Sequence, residues 1–179
     1  MNNAQENEIL ITEEKPEDIQ DIRSVLIDAF EGPGEADVVD QLRQACPTFL
    51  SLVAKIDKKV VGYILFTPAQ LVPNEGWTIE GLGLAPLAVL PDYQNQGIGI
   101  ALCVAGLTRA ALAGYPFVAV LGHPAYYPRF GFKPASTYGI KSSFQDVPDD
   151  AFMIKILNPK IMTDAQGVVY YRQEFNSVT

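Results

Sequence analysis

The stretch that decides the fold runs Val89-Leu90-Pro91-Asp92-Tyr93-Gln94-Asn95-Gln96-Gly97-Ile98-Gly99 and continues without a break into Ile100 to Leu112, closed by Gly114. An apolar strand end, a polar glycine turn and a long run bounded by glycine at both ends spell strand, loop and helix. The helix, expected over Gly97 to Gly114, is apolar almost all round, with Ile98, Leu102, Ala105 and Leu112 among many small residues. Such a helix should lie buried against a sheet. Backbone N–H groups at its start can hold phosphate oxygens, and glycine at 97 and 99 lets the backbone approach them with no Cβ between. The plain alternative is a flexible strand-to-helix turn. Two other phosphate loops do not fit. No Lys-Ser/Thr pair follows the glycines, as a P-loop requires. The dinucleotide fingerprint lacks its third glycine, where Leu102 stands, and its acid, where Leu121 to His123 stand.

Upstream, Trp77 to Val89 reads as a strand in which Pro86 demands a bulge or local unpairing. Before it, Phe49 to Ile56 and Val60 to Phe66 form a hairpin around Asp57-Lys58-Lys59. A first strand is expected over Glu8 to Glu13. A first helix starts at Pro16-Glu17-Asp18 and carries Ile19, Ile22, Val25, Leu26 and Ala29 on one face. Gly32-Pro33-Gly34 breaks it, and Glu35 to Ala45 supplies a second helix through Val38, Val39 and Leu42. Downstream, Phe117 to Leu121 fits an interior strand, Pro124 to Phe130 a short helix, and Phe152 to Leu157 and Val168 to Phe175 two closing strands. Gly139 to Asp150 has no clear pattern. Residues 1–7 are expected to be a disordered tail and 1–179 a single domain of mixed α/β class with one central sheet.

At 179 residues, 48% hydrophobic and 19% charged, the chain can bury roughly 70% of its unfolded surface and is not disordered. A net charge of −8 repels phosphate backbones and anionic lipid, so no nucleic-acid or membrane partner is expected. Two cysteines and one histidine are too few for a disulfide framework or a metal cage. The polar start resembles no signal peptide and no run is long enough to span a membrane, which points to the cytoplasm. The charge is unevenly spread. From Tyr93 to Gln145 there is no Asp or Glu, but Arg109, Arg129, Lys133 and Lys141, so this segment is +4 and the remainder −12. A buried helix and strand explain part of that; an anion site in the glycine loop explains the flanking loops as well.

Val89 to Gly99 resembles the acyl-CoA signature of the GNAT superfamily of N-acyltransferases, Val-x-Pro-x-x-Gln/Arg-x-x-Gly-x-Gly/Ala. Downstream, Tyr127-Pro128-Arg129-Phe130-Gly131-Phe132 fits that family's Tyr-x-x-x-Gly-Phe, and Leu121 to Tyr127 is similar to a bacterial branch of predicted acetyltransferases within it. The resemblance implies a mixed, mostly antiparallel sheet splayed between its fourth and fifth strands, with helices on both faces and acetyl-CoA entering the gap. It implies that Leu87, Ala88 and Val89 pair with the pantetheine arm, that Gln94, Asn95, Gln96, Gly97, Ile98 and Gly99 hold the pyrophosphate, and that the N–H of Ala88 or Val89 polarises the thioester carbonyl. No metal is implied. The acceptor would be a small-molecule or peptide amine, and a homodimer is compatible with the family's habits.

Transfer of an acetyl group to a primary amine needs a neutral amine, donors for the oxyanion and a proton for the departing thiolate. Tyr127, at the family's tyrosine position, is the candidate acid; Tyr126 would pack against cofactor or substrate. The base is open between Glu80, on the strand leading to the bulge, and His123, just before the tyrosines; a solvated strand charge and a loop hydrogen-bond partner are the competing readings. Glu31 and Glu35 flank the helix break that resembles the family's acceptor wall, although surface acids at a helix start explain Glu35 more simply. Cys103 reads as core, Cys46 has no histidine nearby in sequence, and no nucleophile elbow exists, so direct transfer in a ternary complex is expected over an acyl-enzyme. The alternatives are a catalytically silent acyl-CoA-binding regulatory module and, third, a nucleotide-binding domain.

Overall fold

A computed structural model of the protein describes residues 8–46 and 48–178, so the expected tail over residues 1–7 lies outside the described residues. The chain runs β1 (Leu10–Glu13), α1 (Ile19–Phe30), α2 (Gly34–Ala45), β2 (Leu50–Ile56), β3 (Lys59–Val72), β4 (Ile79–Val89), α3 (Ile98–Leu112), β5 (Phe117–Leu121), β6 (Lys133–Pro134), β7 (Ile140–Ser142), β8 (Phe152–Ile156) and β9 (Gly167–Tyr170). Short 3-10 turns fill the connections, one of them at Tyr127–Phe130. The sheet order is β1-β2-β3-β4-β5-β8-β6, and β9 pairs with both β3 and β7. All pairings are antiparallel except β4 with β5 and β7 with β9.

The parallel pair is short. Leu82, Gly83 and Leu84 lie opposite Val118, Ala119 and Val120, yet β4 continues to Val89 while β5 stops at Leu121. Beyond Leu84 the two strands part. The bulge expected at Pro86 lies at this fork: Ile64 pairs with Leu87 and Phe66 with Leu84, so Ala85 and Pro86 together face Leu65 alone. The Ala85–Pro86 peptide is cis.

Helices cover both faces. On one, Gly62 of β3 lies under Ile98 and Leu102 of α3, and Phe66 packs against Gly106. On the other, Tyr63 and Leu65 meet Val39 and Leu42 of α2, and α1 packs across β3 and β4. That side is tied down by charge. Tyr63 and Ser51 donate to the Glu14 carboxylate, and Arg43 Nε donates to it at 2.9 Å. Arg43 and Arg23 both bind Asp40, at 2.8 and 2.6 Å, so the network links β1, the hairpin, α1 and α2. Burial raises the Tyr63 phenol far above its usual value, and the Glu14 charge adds to this.

Helix α3 lies against the sheet as expected, with Ile100, Val104 and Leu112 exposed on its outer face. Two expectations are corrected. Pro124 to Phe130 yields only the turn at Tyr127–Phe130. The last strand ends at Tyr170, and Gln173–Ser177 is a turn. A strand would hold Tyr171 and Phe175 about 13 Å apart; the turn brings their ring centroids to 5.6 Å and lets both pack in one wall.

Gly106 tests the packing of α3. Helix propensity alone makes Gly106→Ala stabilising by about 1 kcal/mol. A Cβ there overlaps the ring of Phe66, which is fully buried and cannot yield without strain. Overpacking of that kind costs about 1–3 kcal/mol, so the net effect should be destabilising. Urea unfolding should show a lower midpoint at unchanged slope; a raised midpoint would mean the ring has room to move.

Candidate active site

The fork opens into a cavity of about 490 Å³. Its floor is the parted sheet, from Leu84 to Leu87 on β4 and from Leu121, the end of β5, to His123. One wall is helical, with Phe30 ending α1 and Glu35 and Val38 on α2. The rest of the lining is largely aromatic: Tyr126, Tyr127, Phe144, Tyr171 and Phe175, with Val178. A second groove, about 470 Å³, runs from Leu87 and Val89 past Tyr93 to Ile100 and is bordered by Arg129. Leu87 and Tyr126 line both.

The glycine loop builds the second groove. Gly97 is the N-cap of α3 with φ of +83°, a backbone that L side chains rarely adopt. Its carbonyl accepts the Ala101 N–H at 2.9 Å, so the N–H groups of Ile98, Gly99 and Ile100 have no partner inside the helix. A Cβ on Gly99 would come within 2.7 Å of the Tyr126 hydroxyl. Gln94, Asn95, Gly97, Ile98 and Gly99 line the groove. Gln96 instead donates to the Asp92 carbonyl at 3.1 Å, and Gln94 to that of Val89, bracing the loop. The groove thus offers unpaired N–H groups and a close backbone approach, which suits a diphosphate.

Backbone polarity on β4 follows from its ladder with β3. Leu90 N–H donates to Val61 C=O at 2.9 Å, across the Gly62–Val89 pair. Groups alternate along an antiparallel ladder, so the N–H of Ala88 turns toward β3 and those of Leu87 and Val89 toward the gap. Ala88 itself is buried and lines neither cavity.

Tyr127 is buried, with its ring edge-on to Tyr126 at 5.1 Å and to Phe132 at 5.7 Å. Burial raises its phenol well above the usual value, and the neighbouring Cys103 and Tyr126 add to this. Tyr126, half-buried, is pushed up to about 12, also chiefly by burial. His123 reaches the first cavity, but its Nδ1 accepts the Ala125 N–H at 3.2 Å. That bond occupies Nδ1 and leaves Nε2 without a partner among the described residues. Glu80 is not brought to the site. It is exposed on β4 opposite Gln70, about 13 Å along the strand from Leu84. Glu31 is exposed at the end of α1 with φ of +56°, whereas Glu35 lines the cavity. The Cys103 thiol lies near the tyrosines but is buried and pushed up to about 12, so it stays protonated.

Sequence reasoning missed Tyr171 and Arg129 as site residues. Tyr171 sits at the fork, its ring over Gly83 and its hydroxyl donating to the Ala119 carbonyl at 2.7 Å. Nothing local in sequence announces that bond, which joins positions 52 apart. Arg129 stacks on Tyr126, 4.7 Å from the ring centroid, and donates to the Tyr126 carbonyl at 2.9 Å. The acid-free segment held the signal for it. Arg109, the segment's other arginine, is drawn off to Glu13 at 3.1 Å. Among the described residues no group of three or more His, Cys, Asp or Glu side chains is placed to hold a metal, and no helix is long and apolar enough to cross a membrane.

Tyr171→Phe keeps the ring and deletes the bond to Ala119. The loss should cost about 1 kcal/mol of stability in urea unfolding. An unchanged midpoint would show that the ring alone holds the fork.

These features match known proteins. Residues 47–134 match the family model described as an acetyltransferase (GNAT) domain. The chain is 34% identical over 169 residues to the Escherichia coli N-acetyltransferase YhbS, covering 94% of this chain and 99% of that protein. It is 42% identical over 121 residues to E. coli YjhQ, covering 66% of each. The crystal structure of E. coli YhbS in complex with CoA superimposes with a TM-score of 0.89 at 32% identity, over 100% of this chain and 98% of that one. A Brucella melitensis GNAT acetyltransferase in complex with acetyl-CoA gives 0.75 at 34% identity, over 94% and 99%. With its strands parted beside a glycine loop, and relatives of that kind along nearly its whole length, the chain belongs to the GNAT superfamily and is an acetyl-CoA-dependent acetyltransferase.

Proposed function

We propose that the protein transfers the acetyl group of acetyl-CoA to a primary amine directly, with both substrates bound at once, in one domain acting in the cytoplasm. The observation that carries this reading is the pair of cavities meeting at Leu87 and Tyr126. A donor laid along the glycine-loop groove reaches the fork there, and an acceptor enters from the aromatic cavity.

The N–H groups of Ile98, Gly99 and Ile100 hold the diphosphate, with the Arg129 guanidinium on the groove's far side. The free edge of β4 pairs with the pantetheine arm, and the Val89 N–H polarises the thioester carbonyl. The neutral amine attacks that carbon, the nitrogen gives up its extra proton to water, the C–S bond breaks and the thiolate departs with the bonding pair. Tyr127 gives it a proton. Burial makes the phenol a reluctant acid, but the same apolar surroundings make a desolvated thiolate a stronger base, so transfer is late and matched. With the Cys103 thiol kept protonated by burial, no cysteine is available for a covalent detour.

Tyr127→Phe should lower kcat by about 100-fold or more while acetyl-CoA affinity, read by calorimetry, stays nearly unchanged. Because burial raises its pKa, the acid keeps its proton through the neutral range, and wild-type kcat should not fall below about pH 10 through its ionisation. Wild-type kcat in the variant under rate-limiting chemistry would remove Tyr127 from the mechanism.

The loop can be tested apart from strain. Asn and Asp both tolerate the left-handed backbone of Gly97 and differ in charge. Gly97→Asp should bind acetyl-CoA at least about tenfold more weakly than Gly97→Asn, since a carboxylate near a diphosphate at an effective dielectric of 20 is repelled by several kcal/mol. Equal affinities would place the diphosphate elsewhere.

A further inference from the structure

The acceptor cavity is chemically lopsided. Among the residues that line it, Glu35 is the one carboxylate, and it makes no ion pair or hydrogen bond to any described residue. The other polar side chains lining it are His123, Tyr126, Tyr127 and Tyr171. The Tyr171 hydroxyl already donates to Ala119, and the His123 Nδ1 already accepts from Ala125. The rest of the wall is apolar: Phe30, Val38, Leu121, Phe144 and Phe175.

A ligand must match that inventory, because a polar group buried without a partner is costly and a buried charge more so. One ammonium finds one carboxylate. A second ammonium finds none, and the several hydroxyls of an amino sugar outnumber the unengaged hydroxyls of Tyr126 and Tyr127. Arg129 borders the neighbouring groove and disfavours a second positive charge there. Resting on the acetyl-transfer reading above, we infer that the acceptor is a monoamine with an apolar, ring-sized body, whose ammonium is received by Glu35 and whose body is packed by Phe144 and Phe175. This replaces the simpler sequence reading of Glu35 as a surface acid. Glu35 also makes chemical sense of the first step: the amine arrives charged, must lose a proton before its nitrogen can attack, and meets a free carboxylate as it enters.

The experiment presents the full chain and acetyl-CoA with a panel of amines and reads free CoA thiol. The panel includes 2-phenylethylamine, spermidine, glucosamine and a short peptide with a free amino terminus. The expected result is a kcat/KM for 2-phenylethylamine at least tenfold above those of spermidine and glucosamine. Glu35→Gln should raise its KM at least tenfold, and Phe144→Ala should raise it several-fold, with acetyl-CoA affinity unchanged in calorimetry for both. Preference for the polyamine or the amino sugar would overturn the substrate class and leave the transferase reading intact. So would a Glu35→Gln enzyme with wild-type KM. Tight acetyl-CoA binding with no thiol released by any amine of the panel would instead overturn transfer to a primary amine itself.

Discussion

The site depends on two strands that stop pairing. After Leu84 and Val120, β4 and β5 separate, and every cavity described above exists because they do. Parted strands in a core present unpaired peptide groups and would close or fill if nothing occupied the crotch. Tyr171 occupies it. Its ring lies against both hydrophobic clusters of the protein, and its hydroxyl caps a β5 carbonyl one residue before the split. The Ala85–Pro86 bulge does the complementary work on β4, turning the strand so that it leaves β5 while staying paired with β3.

The helical wall is held from the opposite side of the sheet. Glu14 gathers Ser51, Tyr63 and Arg43, and the arginine passes the connection to Asp40 and Arg23. Single surface ion pairs contribute little, but this network is partly buried and joins four elements. It fixes α2, and with α2 the positions of Glu35 and Val38 at the cavity.

Local chemistry was legible in the sequence and long-range geometry was not. The glycine loop, the Pro86 irregularity and the helix that follows are written within twenty-odd neighbouring residues, so patterning found them. Tyr126 and Tyr127 came with a motif. Glu35 and Glu80 show the limit. Both are acids near a break in regular structure, and nothing beside them in sequence tells which one faces the gap. The answer needs the crossing of α1 and α2 over β4, and for Glu80 a count along the strand that puts it about 13 Å short. Tyr171 sat inside a run that alternates well enough to pass for strand. It leaves the sheet because two aromatic residues four positions apart bury better together than in extended chain.

The two cavities share β4 and the turn after β5 but take their helices from separate parts of the chain. The glycine-loop groove draws on β4, α3 and the turn after β5, whereas α1 and α2 contribute Phe30, Glu35 and Val38 to the acceptor side alone. Only Leu87 and Tyr126 serve both. Such a partition makes the fold readily divergent. Mutations on the first two helices can drift, one at a time, toward a new acceptor while the donor machinery remains intact, so each intermediate along an evolutionary path keeps its high-energy thioester chemistry. For the same reason the helical hairpin is the natural segment to graft or randomise when a different amine is to be acetylated.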